Sequence, residues 1–259
     1  MLGTIPRQKI TSLEAFCEQA EATFEPFVAG MESFVEDSRQ ADPEKFGELA
    51  FHHSGLKTRE KIRTNLFGKY EGDVTRILDA VRGSLVVPGM YVDDLVAAMD
   101  ERFARAGDIQ DRISWPNKFG YRDRQFFIVM PNGHICEVQC VSSEIAALRK
   151  ETHRHRESAN EIERRAIKEG RLITLEEQRE FKLFMKRCLG LHNAAAISSG
   201  LNEKLAPDLP EERRVNLVIS AFPVVDFAEV APRGDNPEPV YVVDLEEGAL
   251  DWLPEFSKN

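Results

Sequence analysis

Two residues of one apolar run, Glu137 and Gln139, carry the clearest chemical suggestion in the chain. The period-two alternation of a strand puts both on one face, with Cys136, Val138 and Cys140 on the other. A carboxylate beside a carboxamide either meets solvent there or is buried for a purpose, because burying such groups idle is costly. The neighbourhood favours purpose. Asp79 opens an aliphatic run, Lys57, Arg59, Lys61 and Arg63 form a basic segment, and Lys118 and Tyr121 flank a glycine ahead of Glu137. Each also has a plainer reading: Asp79 as a turn cap, the cations as a solvated helix face, Tyr121 as an aromatic plug in a loop. Arg59 and Lys61 point to different sides of a helix, so not all four cations serve one site.

The elements that position these groups follow from periodicity. Thr11-Ser-Leu-Glu14 reads as a capping box. Leu13, Phe16, Ala20, Phe24, Phe27, Met31 and Phe34 then recur at helical spacing, in a helix expected to bend or break near Pro26. A short helix is expected over Asp42 to His52. Leu78 to Val87 suits a buried strand that turns at Pro88-Gly89, and Val92 to Ala106 a helix closed by Gly107. Ile109 to Trp115 is a further strand candidate. Arg124 to Met130 and His134 to Val141 flank Pro131-Asn132-Gly133, a hairpin signal. From Ser143 to about Gly170 the pattern is charged and helical. Thr174-Leu-Glu-Glu177 caps a helix that runs past Gly190 towards Ser199, and two β-like runs follow, Val215 to Phe222 and Val240 to Leu245. Strand, helix, strand, hairpin implies an α/β (α+β) fold with a mixed sheet flanked by helices. The expected segments are N-terminal helices (1–53), a core (54–158), a helical extension (159–202) and an acidic β-containing extension (203–259).

With 259 residues, 42% of them hydrophobic, the chain can bury a large core. Its formal charge of -10 argues against nonspecific binding of duplex nucleic acid while leaving room for a local basic groove. No apolar run reaches membrane-span length, and the start lacks a signal-peptide pattern, so the expected location is cytoplasmic. Delivery into another cell by a specialised secretion system is equally compatible. The four cysteines lack metal spacing and read as reduced core residues.

In order and spacing these motifs resemble the synthetase domain of the RelA/SpoT-type alarmone synthetases. The resemblance runs from Leu56 to Arg156: Lys57-Thr-Arg59-Glu-Lys61-Ile-Arg63, then Asp79-Ala-Val-Arg-Gly-Ser-Leu-Val-Val, Asp111-Arg-Ile, Lys118-Phe-Gly-Tyr121-Arg-Asp, Glu137-Val-Gln139, and His153 sixteen positions after Glu137. It implies a nucleotidyltransferase-like synthetase fold and a Mg²⁺-dependent pyrophosphokinase. Asp79 and Glu137 would hold the metal and activate the acceptor hydroxyl. Lys57, Arg59, Lys61 and Arg82 would bind ATP, and Lys118, Tyr121, Gln139 and His153 the acceptor. The pattern departs from the better-known members: Arg82 stands where they carry glycine, and their arginine, histidine and second arginine fall on Ser84, Gln125 and Val141. These departures fit a divergent, synthetase-only branch, and no His-Asp hydrolase motif is present.

Three functions remain open on the sequence. The first is pyrophosphate transfer from ATP to a free purine nucleotide, giving (p)ppGpp or (p)ppApp. The second is the same transfer to the 3′ end of tRNA by a toxin-type relative, suggested by Arg154, Arg156, Arg164 and Arg165. The third is a catalytically degenerate nucleotide-binding or partner-binding module. The expected partners are ATP, a purine nucleotide or tRNA, a second copy of the chain, or an inhibitory protein.

Overall fold

The computed structural model describes residues 4–201 apart from Lys118. The two β-like runs of the acidic C-terminal segment lie outside the described residues. The chain contacts define two compact units, 4–112 with 123–146 and 113–122 with 147–201. The N-terminal helices expected as a segment of their own belong to the first unit, and the boundary expected at 158 falls inside a helix.

In the first unit, α1 (Leu13–Ala41) starts at Ser12, whose side chain accepts from the Ala15 amide, rather than at Thr11. Phe16, Ala20, Phe27 and Met31 make its fully buried stripe. The helix is not broken at Pro26. That residue is exposed, so the hydrogen bond it removes lies on the solvent side while Thr23, Phe27 and Met31 stay packed. The helix expected over 42–52 shortens to α2 (Pro43–Phe46), capped by Asp42, and gives way to an edge strand β1 (Ala50–His52). After α3 (Arg59–Gly68), the chain passes through a turn and a short 3-10 helix (Val74–Arg76) to β2 (Arg82–Val87), which starts later than the aliphatic run because Ala80 and Val81 make only single backbone bonds, to Lys57 and Glu137. Then come α4 (Val92–Arg102), β3 (Gln110–Asp111), β4 (Arg124–Val129) and β5 (Ile135–Ser142), followed by a short helix α5 (Ser143–Ala147).

The sheet is mixed, in the order β1-β2-β5-β4-β3, with only the β2–β5 pair parallel. The expected hairpin forms: Gly133 adopts φ 84°, the Asn132 side chain accepts from the His134 amide at 3.1 Å, and Asn132 also donates to Thr23 of α1 at 2.7 Å. Gln8, fully enclosed, donates to the Ile77 and Ile135 carbonyls and accepts from the Ile135 amide, tying the approach to β2 to the start of β5. One face of the sheet is dry, carrying Leu85, Val87, Cys136, Val138, Cys140, Phe126 and Ile128, and α4 packs on β4 and β5.

In the second unit, α6 (Arg149–Lys168) and α7 (Leu175–Ser198) pack on each other around Ala159, Ile162, Phe181, Met185 and Cys188, with Phe119 in the same cluster. The capping box at Thr174 and Glu177 is present, and Arg165 and Arg171 clamp Glu177 at 2.7 and 2.6 Å. No helix among the described residues is long and apolar enough to cross a membrane.

Candidate active site

Register decides what the other sheet face carries. Arg82 lies opposite Glu137, and Ser84 opposite Gln139, across the parallel β2–β5 pair. Gln139 in turn lies opposite Gln125 of β4, and Gln125 opposite Gln110 of β3. Directly paired residues share a face, so Ser84, Gln139, Gln125 and Gln110 form a polar row beside the Arg82–Glu137 pair. Arg82 occupies the same face as Ser84, one pair earlier in the register.

Asp79 lies three residues ahead of β2 instead of opening it. Its Oδ2 accepts from Lys57 Nζ at 2.6 Å, the two side chains being only 18% and 12% exposed, and Arg82 Nη1 stands 4.0 Å from the same oxygen. The other oxygen, Oδ1, is buried with no partner among the described residues. Burial pushes the Asp79 carboxyl up, but the charge and hydrogen bond of Lys57, with Arg82 and Lys69, outweigh it and hold the group below the usual carboxylate range. Burial in turn draws the Lys57 ammonium down, and Asp79 restores only part of that shift.

Glu137 is 6% exposed, and its Oε1 accepts from Gln139 Nε2 at 2.7 Å. Phe127, opposite it on β4, is packed with Leu78 and Ile135, so the carboxylate has an apolar neighbour. Burial raises its pKa, Arg112 and Arg82 oppose the shift, and the Asp79 and Asp123 charges add to it. Asp79 and Glu137 therefore feel each other electrostatically and are held on opposite sides of the ordinary carboxylate value. Such a split suits one acid to permanent charge and the other to proton transfer.

Arg59 and Lys61 lie on α3, while Tyr121 and His153 belong to the second unit. The Arg59 guanidinium pairs with Glu14 and Glu21 of α1, with Glu21 at 2.6 and 2.8 Å. Lys61 and Arg63 are exposed on α3. In the second unit Tyr121 lies edge-on to His192 at 5.6 Å and accepts from Arg149 at 3.2 Å, and His153 is exposed on α6. Lys118 lies outside the described residues.

Four residues without a role assigned from the sequence also contribute, Arg112 and Asp123 among them although both stand in the quoted motifs. Lys69 and Tyr70, at the end of α3, reach the acid pair: Tyr70 is buried under the Lys69 ammonium, 5.1 Å from its ring centre, and the charges of both acids act on its hydroxyl. The basic periodicity of α3 continues to Lys69 and is the signal that was present. Arg112 and Asp123 form a bidentate pair at 2.6 and 2.7 Å, with Asp123 fully buried.

The fold is that of the RelA/SpoT-type synthetases. The chain is similar in structure to the type VI effector Tas1, solved in complex with its immunity protein, at a TM-score of 0.52 and 15% identity over 73% of this chain and 99% of that one. It is also similar to small alarmone synthetase 1 from Bacillus subtilis bound to its product pppGpp, at 0.49 and 13% over 72% and 92%. A GTP pyrophosphokinase family protein from Streptococcus pneumoniae gives 0.42 and 13% over 77% and 94%. No family model and no curated protein matches the sequence.

Among the described residues no group of three carboxylate, histidine or cysteine side chains is placed to hold a metal. The two acids nevertheless fit Mg²⁺, which takes one or two carboxylates and completes its shell with phosphate oxygens and water. The unpartnered Asp79 Oδ1 is a donor of the required kind.

Proposed function

We propose that the first unit transfers the β,γ-pyrophosphate of ATP to the 3′-hydroxyl of a purine nucleotide, giving (p)ppGpp or (p)ppApp, with Mg²⁺ as cofactor. One observation carries this reading: Lys57 holds one oxygen of Asp79 while the other is buried and unpartnered, and Glu137 is buried on the adjoining sheet face. The synthetase-like fold supports it.

When bound to Asp79 and Glu137, Mg²⁺ neutralises the charge of the transferred phosphates. Lys57 and Arg82 bind and orient those phosphates. Glu137, its carboxyl raised by burial and its Oε1 fixed by Gln139, takes the proton from the acceptor 3′-hydroxyl as that oxygen bonds to the β-phosphorus. The bond between the β-phosphorus and the α,β-bridging oxygen breaks, and its electron pair leaves with AMP. The resemblance assigns Tyr121, His153 and Lys118 to the acceptor, and no step here rests on them.

The test is incubation of the full chain with ATP, Mg²⁺ and, in turn, GDP, GTP, ADP, AMP and tRNA, with products read by mass spectrometry. AMP should appear together with an acceptor heavier by one pyrophosphate, and both should vanish in Asp79→Ala and Glu137→Ala. AMP release no faster than in those variants with every acceptor rejects the reaction. Calorimetric nucleotide binding without turnover would then identify a binding module. Label transferred from the γ-phosphate into tRNA alone selects the tRNA acceptor.

The likeness to an effector solved with its immunity protein favours a second setting for the same chemistry, delivery by a secretion system and restraint by a partner protein. Expression in a bacterial cytoplasm should then arrest growth with the wild-type chain and not with Glu137→Ala.

A further inference from the structure

The second unit holds a cation that its own residues leave without a counter-charge. Arg122 is 1% exposed, the largest fully buried side chain among the described residues, yet among those residues only its Nη2 has a partner, the Asn193 side-chain oxygen at 3.1 Å. Its Nε and Nη1 are buried with none. Burial draws its pKa down to about 10, and no acidic group opposes that shift. Beside Asn193 on α7 stands His192, 2% exposed, whose Nε2 is likewise buried and unpartnered. Its Nδ1 lies 2.8 Å from the Phe119 carbonyl. A carbonyl only accepts, so Nδ1 carries the hydrogen, and the neutral ring offers Nε2 as an acceptor. Burial, with Arg122 and Arg156 nearby, keeps the ring neutral by drawing its pKa to about 4.

A guanidinium is not left in an apolar interior with unmet donors without reason. Together these groups ask for a ligand that accepts from Arg122 and donates to His192. A fully deprotonated oxyanion meets only the first requirement, whereas a phosphate group that keeps one P–OH meets both. Tyr121, half-buried, lies with its ring edge-on to His192 at 5.6 Å.

We infer that Arg122 and His192 form a binding site for a hydrogen-phosphate group, inorganic or terminal on a nucleotide, inside the second unit. The site stands independently of the reaction proposed above and needs no turnover.

The test is thermal unfolding and calorimetry of the full chain with inorganic phosphate, with sulfate at equal ionic strength, and with AMP. Phosphate at about a hundred times its Kd should raise the melting temperature by roughly 5–10 °C, and sulfate should bind at least tenfold more weakly. Arg122→Met should abolish the phosphate response, while Asp79→Ala should keep it. If Arg122→Met does not fold, Arg122→Lys should weaken phosphate at least tenfold by calorimetry. AMP that competes with phosphate makes the group nucleotide-borne, and phosphate binding without such competition makes it the free ion; either supports the site. An equal response in wild type and the Arg122 variant, equal binding of sulfate, loss of the response in Asp79→Ala, or no response in wild type overturns it.

Discussion

Lys57 Nζ donates to Asp79 Oδ2 at 2.6 Å, linking the residue that leads into α3 to the segment that leads into β2. Both groups are largely removed from solvent, so each fixes the ionisation of the other far more firmly than a surface pair would. Lys57→Met therefore does two things under the proposed reaction. It removes a phosphate ligand, and it lets burial push the Asp79 carboxyl upward. Turnover should fall by about 10²–10³-fold, and the rate should become more sensitive to acid. A rate within threefold of wild type at every pH rules out this role.

Glu137→Gln keeps the shape and the neighbour of the side chain while removing its charge. The reaction should slow by about 10²–10⁴-fold, the usual worth of a positioned base. Chemical denaturation should show the variant at least as stable as wild type, because a buried carboxylate beside Phe127 gives way to a neutral amide. In Mg²⁺-free wild type, the Glu137 carboxyl should titrate with a midpoint above the ordinary glutamate value of about 4.3, read by NMR. A midpoint at or below that value removes Glu137 as the base.

Arg59 separates packing from catalysis. Its guanidinium bridges Glu14 and Glu21 on α1, so Arg59→Ala should loosen the α1–α3 contact. The KM for ATP should change less than twofold. A tenfold rise in KM at unchanged stability places Arg59 on the phosphates after all.

His134 makes the first unit sensitive to acid. It is fully buried at the hairpin, with Nδ1 3.2 Å from Gln19 Oε1, and burial draws its pKa to about 4. The unfolded chain, with a histidine pKa near 6.5, binds more protons between those values, so stability rises with pH across that window. The contribution is complete above pH 6.5 and lost by pH 4, about 3 kcal/mol in all. His134→Gln should flatten the profile in urea titrations at several pH values, and an unchanged slope would show that the ring is not the sensor.

Gly120 adopts φ 74°, and a Cβ there would lie 2.9 Å from Leu189 Cδ2 and 3.3 Å from its Cα. Gly120→Ala thus combines a left-handed backbone with crowding against α7. It should cost about 1–3 kcal/mol in denaturant titrations, and no measurable loss would mean that the loop re-forms without strain.

The sheet and much of its chemistry were legible in the residue order. The alternation around Glu137 placed it with Gln139, and Asn132-Gly133 marked the hairpin. What stayed hidden was set by tertiary partners. Ala50-Phe51-His52 is too short to signal a strand and exists because β2 pairs with it. Arg59 reads as a phosphate ligand until α1 supplies carboxylates from 38 and 45 residues away. Arg122 follows Tyr121 in the quoted motif, and only packing shows it enclosed.

The position of β5 also bears on the order in which the molecule is made. It lies between β2 and β4 although it follows both in the chain, and those two do not pair with each other. During synthesis Asp79 and Lys57 emerge long before Glu137, and the facing carboxylate arrives only with the last strand to enter the sheet. A truncated or nascent chain ending before β5 therefore holds a lone acid. The acid pair is assembled only once its central strand is in place.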